Sequence, residues 1–371
     1  MKNLINLFVA ILFMAISISL VAQTPELIPY RKGNKWGYCD RNKNLIIDCK
    51  FDDAYLFDEK NEFARVKFND KWCFIDKKGE IVAELDYDEV NDFKEDMILV
   101  VKNEKYGFLD KQFKEVVPPK YDLAHEFSNS LALVYIIDDK EYYGYINKDG
   151  KEVIPLLYHY ATDFSDGIAI VNKKIIDTKG KTVSEINAES FYEFKNGYAR
   201  VDMLASNQND MIPYFRWGFI NSKGKIVIKP QFFDAQDFSE GFAAVKNENE
   251  KWGFIDEKGK LIIDYQFDEV LDFSEGLAPV KVDDKWGYID KNGKWTIEPM
   301  FAEAGIFKYG LAKVANELYG DQGFIDKTGK IVIPIQYYFV DNHFKKGLIR
   351  VHIPQLGEAY MDIFGNKYWE E

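Results

Sequence analysis

Two short motifs contain residue types that bind phosphate or calcium in other proteins. Gly180-Lys181-Thr182 has the last three residues of a phosphate-binding loop, but the glycine required five residues before Gly180 is replaced by Ile175. Asp40 begins a segment with the spacing of a calcium-binding loop, yet its sixth position is Leu45 instead of glycine. We therefore interpret both segments as turns between strands, and we predict no cofactor and no metal site.

Groups that catalyse hydrolysis are also present, but no arrangement of them singles out an active site. The four histidines are scattered, and only His343 and His352 have a spacing that two metal ligands could use. Carboxylates are abundant, so a pair acting on a glycosidic bond remains an alternative. Because acidic residues recur at equivalent positions of an internal repeat, whereas an active site is normally unique, we predict no catalytic residue and a protein that is not an enzyme.

The internal repeat determines which elements carry these residues. A unit of five residues recurs about ten times at intervals of 30 to 44 residues: an aromatic residue, Gly, Tyr or Phe, Ile or Leu, and Asp or Asn. Degenerate copies end at Asp177 and Asp362. The residues that we assign to the aromatic–glycine pair as structural positions are Trp36, Gly37, Trp72, Trp217, Gly218, Trp252, Gly253, Trp286 and Gly287.

Each repeat is predicted to form three short antiparallel strands, and residues 276–305 show the pattern. Two β-type runs, Leu277 to Val282 and Lys285 to Asp290, are joined by a two-residue turn. A third strand is expected from Lys294 to Glu298, ended by Pro299 because proline cannot donate to a ladder.

The recurring aspartate is predicted to form a turn. In Asp290-Lys291-Asn292-Gly293 the carboxylate can accept backbone N–H groups two residues on, and the glycine accepts a positive φ. In the equivalent strand of the preceding repeat, alternation puts Trp252 and Phe254 on one face and Gly253 on the other. We expect the tryptophans to be core residues, not ligand platforms, and the glycine to permit close approach of a neighbouring strand or ring.

These residues resemble the WG-repeat family of bacterial tandem-repeat proteins, whose signature is Lys-Trp-Gly-Tyr/Phe-Ile/Val-Asp followed by Gly-Lys. The signature is nearly intact at Lys35, Lys71, Lys251 and Lys285, and the resemblance extends over about residues 30 to 365. The sequence departs from it where Cys73 replaces the glycine, Gln322 replaces the tryptophan, and Lys173-Lys174 replace both. The resemblance implies a tandem β-repeat fold and no particular chemistry.

The predicted fold class is all-β, with tandem repeats of about 35 residues that are each a three-stranded β-meander. We expect the repeats to stack in an elongated, curved array. A closed toroid resembling a β-propeller is the alternative, disfavoured because propeller blades usually have four strands and number about four to eight.

The chain is predicted to begin with an export signal. Met1 and Lys2 precede an apolar run that ends at Leu20, and small residues follow at Val21 and Ala22. The predicted segments are a signal peptide at 1–22, an N-terminal cap at 23–34, repeats one to five at 35–181, and repeats six to ten with a C-terminal cap at 182–371, in one continuous array. The expected location is the periplasm, the cell surface or the extracellular space, with no integral membrane segment after cleavage.

Composition restricts the class of partner. The formal net charge is −13, which argues against nucleic acid because phosphate backbones select for clustered Lys and Arg. A protein is the expected partner, and a glycan is the alternative. Three cysteines, Cys39, Cys49 and Cys73, are too few for a disulfide-stapled domain. One disulfide bond among them is compatible with the sequence.

The middle of the array is irregular. The sixth repeat carries an insertion at 202–214, where other repeats have short turns. Such loops often lie on the working face of a repeat array, and drift in a tolerated loop is the alternative. We name Asp210, Tyr214 and Arg216 as the candidate binding loop. The functional prediction is an exported, non-enzymatic scaffold that binds a protein, and the alternative is a secreted protein that binds or hydrolyses glycans.

Overall fold

The computed structural model describes residues 25–137, 140–205, 214–339, 341 and 344–370, so the predicted signal peptide lies outside the described residues. Within these ranges the chain forms 37 β-strands and no helix, and hence no helix that could cross a membrane. Contacts between residues divide the chain into two compact units. The first contains the described residues of Met1–Leu85, Lys285–Gly287 and Thr296–Glu371, and the second contains those of Asp86–Asp284 and Tyr288–Trp295.

The strands are short and follow one another along the chain. The first eighteen are β1 (Ile28–Lys32), β2 (Lys35–Cys39), β3 (Leu45–Phe51), β4 (Asp53–Ala54), β5 (Ala64–Phe68), β6 (Lys71–Ile75), β7 (Ile81–Leu85), β8 (Glu89–Lys94), β9 (Met97–Lys102), β10 (Lys105–Asp110), β11 (Glu115–Tyr121), β12 (Leu123–Ala124), β13 (Leu131–Ile137), β14 (Glu141–Asn147), β15 (Glu152–Tyr158), β16 (Ile168–Val171), β17 (Lys174–Asp177) and β18 (Thr182–Glu185). The remaining strands are β19 (Ser190–Phe191), β20 (Tyr198–Ala205), β21 (Tyr214–Asn221), β22 (Ile226–Phe232), β23 (Asp234–Ala235), β24 (Phe242–Lys246), β25 (Trp252–Asp256), β26 (Leu261–Phe267), β27 (Glu269–Val270), β28 (Leu277–Val282), β29 (Lys285–Asp290), β30 (Trp295–Phe301), β31 (Glu303–Ala304), β32 (Leu311–Ala315), β33 (Gln322–Asp326), β34 (Ile331–Phe339), β35 (Leu348–Ile353), β36 (Gly357–Asp362) and β37 (Lys367–Glu370).

Hydrogen bonding joins consecutive strands into antiparallel sheets, and one parallel pairing, between β1 and β37, links two of them. The first unit contains the sheet β4-β5-β6-β7 and the longer series β3-β2-β1-β37-β36-β35-β34-β33-β32-β31. The second unit contains β11-β10-β9-β8, β12-β13-β14-β15, β16-β17-β18, β19-β20-β21-β22 and β23-β24-β25-β26. The prediction of an all-β chain built from tandem meander repeats is confirmed.

The seventh repeat shows how the strands of one sheet pair. β24 pairs with β25 from Phe242↔Asp256 to Lys246↔Trp252, and β26 pairs with the other edge of β25. The two-residue strand β23 joins the free edge of β24, where Asp234 opposes Lys246. The three expected strands are thus joined by a fourth strand that the sequence pattern did not reveal.

The third strand of a repeat is longer than expected. β30 continues through Pro299 to Phe301, so the expectation that Pro299 ends this strand was wrong. Pro230 has the equivalent place in β22, where the register between β21 and β22 shifts between Trp217 and Phe219. Such a shift is a β-bulge, where ladder hydrogen bonds are interrupted and a proline without an N–H group is tolerated.

Neighbouring sheets within a unit pack face to face. Phe254 belongs to a core cluster with Ala278 and Ile289 of the following repeat. The next residue, Ile255, belongs to a different cluster with Phe219 of the preceding repeat. Adjacent residues of one strand therefore bury opposite faces of the sheet against different neighbours, as the period of a strand requires.

The predicted aspartate turn is present. The Oδ1 atom of Asp290 accepts hydrogen bonds from the backbone N–H groups of Asn292 (2.9 Å) and Lys294 (3.0 Å). Gly293 has a φ of 78°. A Cβ atom on Gly293 would lie 3.1 Å from Ile263 Cγ2 of the preceding repeat, so the turn also sets the stacking of the two repeats.

The two segments expected to act as end caps meet within the first unit. β1 pairs in parallel with β37, with Arg31 opposite Trp369 and Lys32 opposite Glu370. The Lys32 ammonium lies 3.0 Å from the Glu370 carboxylate, and Tyr30 Oη donates a hydrogen bond of 2.9 Å to the same carboxylate. Each cap therefore forms hydrogen bonds with backbone groups that the other cap would otherwise expose at its free strand edge.

Candidate functional site

The tryptophans of the repeat unit lie in the core or beside it. Trp36, Trp252 and Trp286 are at most 9 % exposed, whereas Trp72 and Trp217 are half-buried. The glycines that follow them have no room for a side chain: a Cβ atom would lie 2.3 to 2.6 Å from a carbonyl oxygen of the third strand at Gly37, Gly218, Gly253 and Gly287. This placement assigns the tryptophan–glycine pairs to packing within and between repeats.

The longest hairpin of the second unit belongs to the sixth repeat. β20 and β21 pair over eight residues each, from Tyr198↔Asn221 to Ala205↔Tyr214, whereas β24 and β25 of the seventh repeat pair over five. Leu204 and Phe215 lie opposite each other near the end of this hairpin and are 56 % and 48 % exposed. The insertion predicted at 202–214 thus extends a hairpin that presents an apolar pair to solvent.

Of the three residues named as the candidate binding loop, only Arg216 has a described side chain. Asp210 lies outside the described residues, and of Tyr214 only the backbone, paired with Ala205, is described. The Arg216 side chain is only 13 % exposed, its Nη2 donates to Glu248 Oε1 at 2.6 Å, and its guanidinium lies 5.7 Å from the ring centre of Phe233. The Arg216 side chain thus lies between the sixth and seventh repeats, and the assignment of a binding role to the three residues stays a prediction.

Sequence reasoning missed the exposed pair because it considered only polar and aromatic residues of the insertion. Arg216 pairs with Met203, and strand alternation directs these two side chains to the face opposite Leu204 and Phe215. The sequence does contain evidence for the pair, because side chains alternate between the two faces of a strand and Phe215 therefore shares a face with Trp217. Apolar residues that continue this face beyond the length of the other hairpins predict an exposed patch.

An aromatic cluster lies beside the same sheet. The Tyr192 ring packs against Trp217 with centroids 5.5 Å apart, and the Arg200 guanidinium lies 4.2 Å from the Tyr192 ring centre. Arg200 Nε donates to Asp237 Oδ1 at 2.5 Å, and Arg200 Nη1 donates to a backbone carbonyl at 2.6 Å. Burial, together with the neighbouring Asp237 carboxylate, raises the pKa of Asp272. Tyr192 is nevertheless 47 % exposed, so the cluster presents one aromatic surface to solvent.

The groups considered for metal or redox chemistry have no such arrangement in the described part of the chain. No three His, Cys, Asp or Glu side chains are placed there to hold a metal ion. Cys39, Cys49 and Cys73 are free thiols. Burial raises the pKa of the Cys39 thiol to about 12, and it also raises the pKa values of the Cys49 and Cys73 thiols.

Several solved structures are similar to this chain at low sequence identity. They include a eukaryotic initiation factor (11 % identity, 91 % of this chain and 93 % of that chain, TM-score 0.49), BamB from Moraxella catarrhalis (10 %, 72 % and 94 %, TM-score 0.32) and the dihydro-heme d1 dehydrogenase NirN in complex with DHE (11 %, 73 % and 72 %, TM-score 0.35). No curated protein matches the sequence.

The family comparison agrees with the repeats described above. The WG containing repeat matches nine segments, 36–72, 74–106, 106–140, 143–174, 175–203, 217–252, 252–286, 286–317 and 323–352. The tenth unit ends at Asp362 outside these matches, but β36, which ends there, pairs with β35 and β37. The matches cover well over half of the chain and confirm the predicted resemblance, so the protein belongs to the WG-containing repeat family.

Proposed function

We propose that this protein is an exported, non-enzymatic repeat scaffold that binds a protein partner through the solvent-facing side of hairpin β20–β21. The observation that carries the proposal is the exposed pair Leu204 and Phe215, which lie opposite each other on a hairpin longer than the others of its unit. Apolar side chains grouped on a soluble surface mark interaction sites, whereas single exposed ones do not. Export is supported by the signal-like sequence at 1–22.

The surroundings of the pair suit a binding surface. Trp217 lies two residues beyond Phe215 on the same face, and the tilted ring of Tyr192 packs against it. The Arg200 guanidinium makes a cation–π contact with the Tyr192 ring. Arg200 also donates a hydrogen bond to the Asp237 carboxylate, which orients the guanidinium. Rigid aromatic residues lose little conformational entropy on binding, which is why they dominate the energetics of protein interfaces.

The partner is expected to carry a basic rim around an apolar anchor. Asp202 lies two residues before Leu204 on the same face, and the whole chain has a formal net charge of −13. Opposite charges at the rim of an interface mainly raise the association rate and exclude wrong partners. The non-enzymatic part of the proposal is supported by the repetition of the acidic residues, since ten similar repeats distribute these groups instead of concentrating them in one site.

The test is a cross-linking capture with residues 23–371, which include every described residue. Wild type is compared with Leu204→Ser/Phe215→Ser, using the envelope fraction of the source organism and mass spectrometry of the captured species. Leu318→Ser is the matched control, because Leu318 is 65 % exposed and belongs to the first unit, whereas the hairpin belongs to the second. We expect a protein that wild type and the control capture equally and the double variant loses.

The captured protein must then bind directly. Purified partner should bind wild type with an affinity that falls in 0.5 M salt, because the proposed rim contacts are electrostatic. Equal capture by all three chains would contradict the proposed face. Capture of polysaccharide without protein would contradict the proposed class of partner.

A further inference from the structure

The second unit contains a cavity of about 450 Å³ between the fifth and sixth repeats. Tyr160 precedes β16, and Asn172 and Lys173 form the turn between β16 and β17. The opposite wall comes from the sixth repeat. The residues that line it there are Glu189, Ser190 and Phe191. Cavities of about 300 to 1,000 Å³ accommodate small organic ligands.

The cavity lies where the fifth repeat lacks its tryptophan. In the seventh repeat, Trp252 belongs to one core cluster with Val270 at the start of the eighth repeat. In the sixth repeat, Trp217 packs against a cluster that contains Ala235 at the start of the seventh. Lys173 has the place of the tryptophan in the fifth repeat, since it is the fourth residue before the terminal Asp177. An indole that would bury about 150–250 Å² is therefore missing between these two repeats.

A larger residue on the sixth repeat fills only part of the space. Phe191 stands where the seventh and eighth repeats have Ala235 and Val270, and its ring packs against Tyr160 edge to face with centroids 5.0 Å apart. Tyr160 remains 40 % exposed. The two rings thus form an apolar wall that a flat, weakly polar surface of a ligand can contact.

The polar side chains that line the cavity include both hydrogen-bond donors and acceptors, and their charges sum to zero. The Lys173 ammonium and the Glu189 carboxylate are 3.5 Å apart, and both side chains are more than half exposed. Asn172 Oδ1 accepts hydrogen bonds from the backbone N–H groups of His159 (3.0 Å) and Tyr160 (3.2 Å). These two bonds orient the N–H₂ group of the same amide outward. That N–H₂ group has no partner among the described residues. Ser190 adds a hydroxyl, which can both donate and accept.

We propose that this cavity binds a neutral sugar ring. The C–H face of a sugar can lie on the aromatic wall formed by Tyr160 and Phe191, while its hydroxyl groups, which donate and accept like that of serine, meet the amide, the ammonium and the carboxylate. A carboxylate ligand would meet Glu189 at close range, and an amine would meet Lys173. A purely apolar ligand would leave the oriented Asn172 amide without a partner. The cavity borders the sheet of hairpin β20–β21, because β19, which carries Ser190 and Phe191, pairs with β20. The proposal does not depend on the proposed protein partner.

The proposal is tested by saturation-transfer NMR with residues 23–371 and the methyl glycosides of glucose, galactose, mannose and N-acetylglucosamine. Transfer to the ring C–H protons of at least one glycoside is expected. Lys173→Trp restores the missing indole and should abolish this transfer by filling the cavity. Lys174→Trp is the matched control, because Lys174 points to the other face of the strand, where it lies 3.9 Å from Glu185.

A second variant keeps the test informative if Lys173→Trp does not fold. Tyr160→Ala should lower the affinity about tenfold, which corresponds to about 1.4 kcal/mol and to one aromatic contact. Tyr319→Ala, at a tyrosine that is 89 % exposed, should leave the affinity unchanged. No transfer to any of the four glycosides would overturn the proposal. Unchanged binding by Lys173→Trp and Tyr160→Ala, or preferential binding of acetate or methylammonium, would overturn it equally.

Discussion

Gly253 lies so close to the carbonyl oxygen of Ile263 that a Cβ atom on the glycine would come within 2.6 Å of that oxygen. The two strands change register at this point, because Trp252 opposes Phe267 whereas Phe254 opposes Ile263. Three residues of β26 therefore bulge out opposite one glycine. The glycine of the tryptophan–glycine pair is the residue that this bulge requires.

Two departures from the repeat support this explanation. Where Cys73 replaces the glycine, β6 and β7 pair without a shift from Trp72↔Leu85 to Phe74↔Ala83. Where Lys174 replaces it, the ladder is regular from Lys174↔Glu185 to Ile175↔Ser184. A side chain at this position is thus found only where the third strand has no bulge opposite it, among the repeats whose pairing is described.

Gly253→Ala is expected to destabilise the protein by about 1–3 kcal/mol, the cost of forcing extra atoms into a packed site. The added methyl group meets backbone on β26, which cannot move without disturbing the pairing of Trp252 with Phe267. Urea unfolding followed by far-ultraviolet circular dichroism measures the change. Gly305→Ala is the control, since the nearest atom to its Cβ would be 3.6 Å away, and we expect its stability to change by about 0.5 kcal/mol or less. Equal effects of the two substitutions would contradict the explanation.

Trp252→Ala is expected to cost about 3–5 kcal/mol, because it leaves a cavity in the core between two repeats. Trp72→Ala should cost less, since Trp72 is only half-buried. What it removes is the contact of the ring with Tyr55 (6.1 Å between ring centroids) and with the Arg65 guanidinium (4.9 Å from the ring centre). The comparison uses urea unfolding midpoints of the two variants. Unchanged stability of Trp252→Ala would mean that the ring is not a core residue and would favour a ligand-binding role.

Much of the fold could be predicted because its determinants are local. The turn at Asp290 depends on hydrogen bonds within five residues, and the alternation of Phe254 and Ile255 depends on the period of a strand. The strand β23, in contrast, has only the two residues Asp234–Ala235, which is too short to show any period. Its position depends on pairing with β24, which the local pattern does not encode.

The parts that could not be predicted depend on distant residues. The pairing of Arg31 with Trp369 joins strands at opposite ends of the chain. The ion pair of Arg216 depends on Glu248 of the next repeat, a contact that the insertion at 202–214 does not indicate. The exposure of Leu204 depends on how far β20 and β21 continue to pair, because the same residue in a shorter hairpin would lie in a turn.

Asp290→Ala is expected to destabilise the protein by about 1 kcal/mol, since two backbone N–H groups at an exposed turn lose their acceptor. The hydrogen bond from the Lys294 N–H group, with that from Asn292, lowers the pKa of Asp290. A lowered folded pKa means that this stabilisation is present above the unfolded value of about 3.9 and is lost as the pH falls through the folded value. The cost of Asp290→Ala should therefore shrink when urea unfolding is repeated at progressively lower pH below about 4.

Asp290→Asn provides the matched control for this turn. Asn221 makes the same contacts in the sixth repeat, where its Oδ1 accepts the N–H groups of Lys223 (3.0 Å) and Lys225 (3.1 Å). The asparagine variant should keep most of the stability of wild type at neutral pH and lose only the pH dependence that belongs to Asp290. A loss equal to that of the alanine variant would show that the negative charge, and not the acceptor, stabilises the turn.

Asp272→Asn is expected to stabilise the protein at neutral pH. Burial and the nearby Asp237 carboxylate raise the pKa of Asp272, so ionisation of this group opposes folding at any pH above its unfolded value of about 3.9. The asparagine removes that cost, and the advantage should vanish near pH 3, where aspartic acid is protonated in both states. Urea midpoints at pH 7 and pH 3 measure the difference.

Glu257→Gln, which removes an exposed charge from the same unit, controls for the general repulsion of an acidic chain and should change both midpoints little. A lower midpoint for Asp272→Asn at pH 7 would mean that the ionised carboxylate is stabilised by its neighbours, and that Lys195 and Arg200 outweigh the effect of Asp237.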